Sequence, residues 1–182
     1  MDRRDPLPDH VAENRRHRHE MASQCVAGGE ANWARSEPAW GIWGIPDHEL
    51  ALLPADLRGQ RAIELGCGTG YVSAWMRRRG ASVYAIDNSE QQLATARRLA
   101  AEHGLDDIEW VHGNAETVDQ PDAAFDFAIS EYGAAIWCDP YAWIPEAHRL
   151  LRPGGRLVFL GSHPLGMVCT PISGDAPASL TL

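Results

Sequence analysis

The stretch AIELGCGTGYVSAWM, Ala62 to Met76, decides the fold. An apolar segment, Ala62–Leu65, reads as a short buried strand that ends beside an acid, Glu64. Glycines follow at 66, 68 and 70, and Tyr71–Arg79 then reads as a helix stopped by Gly80. A strand, a tight glycine turn and a helix open a parallel α/β unit, whose ligands sit beyond the carboxyl ends of its strands. A phosphate-cradling loop needs Lys and then Ser or Thr after its last glycine, but Tyr71 and Val72 stand there. A dinucleotide turn needs a third glycine at position 71, and Glu64 would repel its pyrophosphate. The turn suits a ligand that carries positive charge.

The residues downstream repeat the alternation. Ser82–Asp87 reads as a second strand, and Ser89 with Gln92 forms a capping box for a helix through His103 that Gly104 closes. Ile108–His112 and Phe125–Ser130 read as the third and fourth strands. A helix around Tyr141–Leu151 leads into the turn LRPGG, and Arg156–Leu160 reads as a fifth strand. This pattern predicts a doubly wound, Rossmann-like α/β fold of about five parallel strands with helices on both faces. Asp87 ends the second strand roughly 20 residues beyond Gly66, where a carboxylate accepts both hydroxyls of a ribose. One strand end faces a cation and its neighbour a ribose, and S-adenosylmethionine carries both.

The motifs ELGCGTGYVS, YAIDNS, HGNAE, FDFAISEYG and LRPGGRLVF, in this order from about Arg61 to Leu160, resemble those of the class I S-adenosylmethionine-dependent methyltransferases. The resemblance implies that Glu64, Gly66, Cys67, Gly68 and Gly70 wrap the methionine part of the cofactor. It gives Asp87 the ribose, Asn88 the adenine face, and Asn114, Ala115 and Glu116 the adenine edge. Asn114 stands where the family often has Asp, and its amide oxygen can still accept from the adenine amine. Ser130, Glu131 and Tyr132 take the positions beside the transferred methyl group. Glu131 is then a general base, a substrate-orienting group or a balance for the sulfonium charge. His163, just past the fifth strand, is a second catalytic candidate. The implied activity is methyl transfer to a small-molecule acceptor. Two other readings stay open, a degenerate member that binds cofactor or a partner without turnover, and an NAD(P)-binding Rossmann protein.

Composition sets the surroundings. The 182 residues carry 16 Lys and Arg against 25 Asp and Glu, a net charge of −9, which argues against nucleic acid as a partner. There is no run of apolar residues long enough to span a membrane and no secretory leader pattern in the first residues. Four cysteines without CxxC or other metal-like spacing fit a reducing, cytoplasmic setting and no metal site.

Three zones are expected. Residues 1–32 mix charges of both signs and read as a tail or loosely docked helix. Residues 33–57 hold Trp33, Trp40 and Trp43 among glycines and prolines and read as a cap, either a clasp over the core or a flap in which Trp43 touches the cofactor. Asp47 is expected to cap a short helix there from His48 to Leu53. Residues 58–182 form the cofactor domain, in which the family's sixth and seventh strands find no counterpart. That would leave the fifth strand as a bare apolar edge, open to a second copy in a homodimer, and would weaken turnover.

Overall fold

A computed structural model describes residues 7–169. The N-terminal segment forms α1 (Asp9–Glu20), a short 3-10 turn (Ala22–Cys25) and α2 (Val26–Trp33). A two-residue hairpin follows, β1 (Ala39–Trp40) against β2 (Ile45–Pro46), and then the single-turn α3 (Asp47–Leu50). The α/β unit comprises β3 (Arg61–Leu65), α4 (Tyr71–Arg78), β4 (Ser82–Asp87), α5 (Glu90–Glu102), β5 (Glu109–His112) and β6 (Phe125–Glu131). It continues through α6 (Ala134–Trp137), α7 (Pro140–Leu150), β7 (Leu151–Leu160) and α8 (Pro164–Cys169).

The sheet runs β5-β4-β3-β6-β7, with every neighbouring pair parallel. The chain reverses direction of growth between β3 and β6, so the ends of those two strands open a crevice at the sheet's switch point. Side-chain alternation sends Ala62, Val83, Ala85, Phe127 and Ile129 to one face of the sheet. Ile63, Leu65, Tyr84, Ile86 and Ala128 go to the other. On the first face they meet Trp33, Trp40, Met76, Leu93 and Leu99, and on the second Trp143, Ala147 and Leu150. The strands are buried on both sides, which is why their sequences read as nearly unbroken apolar runs.

Two local expectations change and a third narrows. The LRPGG turn lies inside β7 as an irregularity: Phe125 pairs with Leu151 and Phe127 with Arg156, and Gly154 takes a positive φ of 82°. Asp47 does not cap α3. Buried at 4% exposure, its Oδ1 accepts from Trp40 Nε1 and Leu52 N, and its Oδ2 from Arg79, so it fastens the cap segment to the end of α4. Finally, of the two readings of the charged N-terminal stretch, a tail or a loosely docked helix, residues 9–20 take the second. They lie across the carboxyl ends of the strands, held by polar contacts that hydrophobic periodicity does not reveal. Among the described residues β7 pairs with β6 alone, so its outer edge carries no strand, and no helix is long and apolar enough to cross a membrane.

Candidate functional site

The glycine turn after β3 is pinned before it meets any ligand. Gly66 N and Cys67 N both donate to Ile86 O, at 2.9 and 3.0 Å, which ties the turn to the neighbouring strand. Gly66 has φ 80°, and a Cβ there would stand 2.6 Å from Ala134 N, so the start of α6 leaves room only for glycine. Gly68 has φ 52° but faces open space, and this open side is where a ligand can lie against bare backbone. Gly68 N donates to Asp87 Oδ2 at 2.7 Å, and Ser89 N to Asp87 Oδ1 at 2.8 Å. These two bonds fix the carboxylate at the end of β4 beside the turn.

A cavity of about 370 Å³ opens at this place. Its floor is the turn and the ends of β3, β4 and β6, represented by Glu64, Gly66, Cys67, Gly68, Asp87 and Glu131. Asn88, Asn114, Ala115 and Tyr132 also line it. Ten of the residues singled out in the sequence therefore converge. The others do not. Gly70 lies behind the turn, packed on Trp110 and Ala96. Ser130 is fully buried, donating to Leu65 O and accepting from Ala135 N, so its hydroxyl braces the strand end. Glu116 accepts from His10 and from Asp139 N, and thus anchors α1 and the start of α7. Trp43 is 71% exposed at the hairpin tip, outside the lining, and His163 is exposed beyond β7. Tryptophans at 33 and 40 are core residues instead, each 1% exposed. Trp33 Nε1 donates to Thr69 O, while Ala39 N and O both bond the Tyr71 hydroxyl. The residue in the third-glycine position thus fastens the cap.

The far wall was hidden from the sequence. Val11, Asn14 and Arg18 from α1, and Gly28, Gly29 and Asn32 from α2, close the cavity over the strand ends. Val11 is the only buried residue of α1. The helix is otherwise held by Asn14 donating to Trp137 O at 2.6 Å, Arg15 to Asn88 Oδ1 at 2.7 Å, and Asn88 to Val11 O at 2.9 Å. Arg18 lies over the ring of Trp137, itself on the lining. Trp143, on α7, is core, with Phe159 edge-on to it.

The electrostatics are one-sided. Among the described residues, Glu64, Asp87 and Glu131 share the lining with a single cation, Arg18. Burial lifts the Glu64 carboxyl to about 8, and the nearby Glu131 and Asp87 charges add to this against two hydrogen bonds from Ser73. Burial also raises Asp87 and Glu131, although backbone N–H groups of Gly68 and Ser89, and of Gly41, pull the other way. Glu131 Oε1 accepts from Gly41 N at 2.9 Å. Next to it Tyr132 holds a left-handed φ of 51°, a strained conformation of a kind that gathers at functional sites. Burial pushes Cys67 well above the ordinary thiol range and Cys138 up to about 12, so neither is a thiolate nucleophile at neutral pH.

Known proteins resemble this chain in sequence and in fold. The model of the family described as methyltransferase domain matches residues 63–159. A malonyl-[acyl-carrier protein] O-methyltransferase of Enterobacter lignolyticus is 40% identical over 115 residues, 62% of this chain and 43% of the relative. A demethylmenaquinone methyltransferase of Clavibacter sepedonicus is 38% identical over 104 residues, 57% of this chain and 42% of the relative. The chain thus spans about four tenths of the length of these two curated relatives. Among solved structures, an S-adenosylmethionine-dependent methyltransferase from Mesorhizobium loti superimposes with a TM-score of 0.59 at 32% identity, over 70% of this chain and 58% of that one. From the glycine turn to the end of β7, the chain belongs to the methyltransferase domain family.

Proposed function

We propose that this cavity binds S-adenosyl-L-methionine and that the protein transfers its methyl group to a small-molecule acceptor. The observation that carries the reading is the charge of the lining: three carboxyls raised by burial, with one arginine among them. A ligand bearing a sulfonium and an amino group relieves that imbalance, whereas a pyrophosphate worsens it. The residues also fit the rest of the molecule. Asp87 accepts the ribose hydroxyls, the open side of Gly68 gives passage, and Asn88, Asn114 and Ala115 border the adenine. Arg18 is the cation available to the ligand's carboxylate.

Bound there, the cofactor supplies an electrophilic methyl group on sulfur. The chain's own work is alignment and exclusion of water, and alignment supplies on the order of 7–11 kcal/mol of such a barrier. Glu131 is the carboxylate best placed to take a proton from a hydroxyl acceptor. One of its oxygens is held by Gly41 N, and burial raises its affinity for protons, the direction a general base needs. The names of the relatives, which give a carrier-bound malonyl group and a demethylmenaquinone, support an organic acceptor over nucleic acid. A second copy of the chain pairing along the outer edge of β7 belongs to the same proposal, and sedimentation over a range of concentrations checks it.

The main test is calorimetric titration with S-adenosylhomocysteine and with NAD, followed by transfer of labelled methyl to a panel of hydroquinones and carboxylic acids. The expected result is binding of the first ligand only, and label in at least one acceptor. Tight NAD binding without S-adenosylhomocysteine binding would overturn the reading.

A further inference from the structure

Gln92 sits in the first turn of α5, 1% exposed, and among the described residues neither its Oε1 nor its Nε2 has a hydrogen-bond partner. The residue lies on the cavity wall. As the last member of a capping box, its side chain should reach back to Ser89 N. Half of the box forms, since Gln92 N donates to Ser89 Oγ at 3.4 Å. The other half is pre-empted because Ser89 N is already bonded to Asp87 Oδ1 at 2.8 Å. The amide is displaced from the cap and left buried without a partner, in a residue that shares the cavity lining with Asp87. A buried amide without partners is costly and rare in native proteins, and a side chain such as Met would fill the same space without that cost.

We propose that Gln92 is a ligand-binding residue that grips the ribose diol together with Asp87. The assignment rests on the cofactor reading above. Its logic is complementarity. A carboxylate only accepts, and each Asp87 oxygen already holds one backbone N–H, from Gly68 or Ser89. Hydroxyls that donate to Asp87 keep lone pairs in need of a donor. The Gln92 NH₂ supplies that donor, and its Oε1 can take a hydroxyl proton that Asp87 leaves over. Asn88, the other amide next to Asp87, cannot substitute, because its Oδ1 is bonded to Arg15 and its Nδ2 to Val11 O.

The test is calorimetry of S-adenosylhomocysteine with the wild-type chain, Gln92→Met and Gln92→Ala, repeated with analogues in which one ribose hydroxyl is replaced by hydrogen. Both variants should bind the intact ligand about tenfold more weakly. One of the deoxy analogues should bind wild type and variants alike, because the hydroxyl that Gln92 holds is gone. Gln92→Met should also melt at a higher temperature than wild type without ligand, which a purely structural role would not produce. Unchanged affinity in both variants, or an equal loss for every analogue, would overturn the assignment to the ribose. Failure of the wild-type chain to bind S-adenosylhomocysteine would overturn the cofactor reading itself.

Discussion

Two walls enclose one cavity, and they are built by opposite rules. The wall made by β3, its glycine turn and the ends of β4 and β6 is held by backbone bonds and by close approach, with Gly66 and Gly133 packed against each other. The outer wall is α1, held by side chains: one buried valine, three amide or guanidinium bonds, and the His10–Glu116 contact at 2.8 Å, whereas α2 beside it is anchored in the core by Trp33. The first wall tolerates no change of shape, while α1 can detach at modest cost. A cavity needs both kinds, because its ligand must get in.

The largest effect is expected on the rigid wall. Gly66→Ala puts a methyl 2.6 Å from Ala134 N at a φ of 80°. Left-handed strain and overpacking together should cost about 3–5 kcal/mol, and ligand binding should vanish with it. Chemical denaturation measures the first and calorimetry the second. A folded Gly66→Ala variant of wild-type stability would show that α6 yields easily, and the contrast between the walls would fail.

Next comes the acid buried in that wall. The Glu64 carboxyl is about 8 in the folded chain, raised above its unfolded value, so the folded state binds more protons than the unfolded state between about pH 4.5 and 8. Stability without ligand should therefore fall as pH rises through that window and level off above it. Glu64→Gln should flatten the fall, gaining on wild type by a few kcal/mol at pH 8.5 and nothing at pH 4.5. A cationic ligand favours the ionised acid, so wild-type binding near pH 7 should release protons and strengthen as pH rises. Calorimetry in buffers of different ionisation heat reads this directly. Pairs of unfolding curves that stay parallel from pH 4.5 to 8.5 would show that Glu64 is ionised throughout.

How much was legible follows the same division. The five strands, the glycine turn and Asp87 could be read because backbone constraints leave marks in residue type: glycine where φ is positive, apolar runs where both faces are buried. Gln92 was read only as a cap, since its competitor for Ser89 N, the Asp87 carboxylate, appears only in three dimensions. The helical wall was legible only as one of two readings, a loosely docked helix, and not as part of the cavity, for a physical reason. A helix fixed by Asn14, Arg15 and a single Val11 has no apolar stripe, so it looks like a solvated segment. Ser130 and Glu116 were expected on the cofactor, and their side chains bond Leu65 O and Asp139 N outside the cavity lining, because sequence spacing locates a loop without saying which way its side chains turn.

A smaller effect should distinguish the helical wall. Val11→Ala removes its only buried apolar anchor and should cost about 1–2 kcal/mol, mostly in local docking of α1. Limited proteolysis should then cut within residues 9–20 well before the sheet domain is touched, and S-adenosylhomocysteine should slow the cut. Cleavage at the same rate in variant and wild type would mean that the polar contacts alone hold the wall.

The smallest effect is expected at the hairpin tip. A segment with Trp33, Trp40 and Trp43 reads equally as a clasp or a flap, and two of the three rings are spent in the core. Trp43 and its neighbour Ile42 stay exposed, 71% and 78%. The backbone beneath them is fastened, with Gly41 N on Glu131, the Tyr71 hydroxyl on Ala39, and Trp40 on Asp47. Nothing in that arrangement needs the Trp43 ring, so Trp43→Ala should change stability by less than about 0.5 kcal/mol and leave S-adenosylhomocysteine affinity where it was. Ligand-induced changes in tryptophan fluorescence should survive in the variant, because the ring that meets the cavity is Trp137. A clear loss of affinity in Trp43→Ala would mean that the tip swings over the bound ligand. The hairpin would then join α1 as a second movable wall.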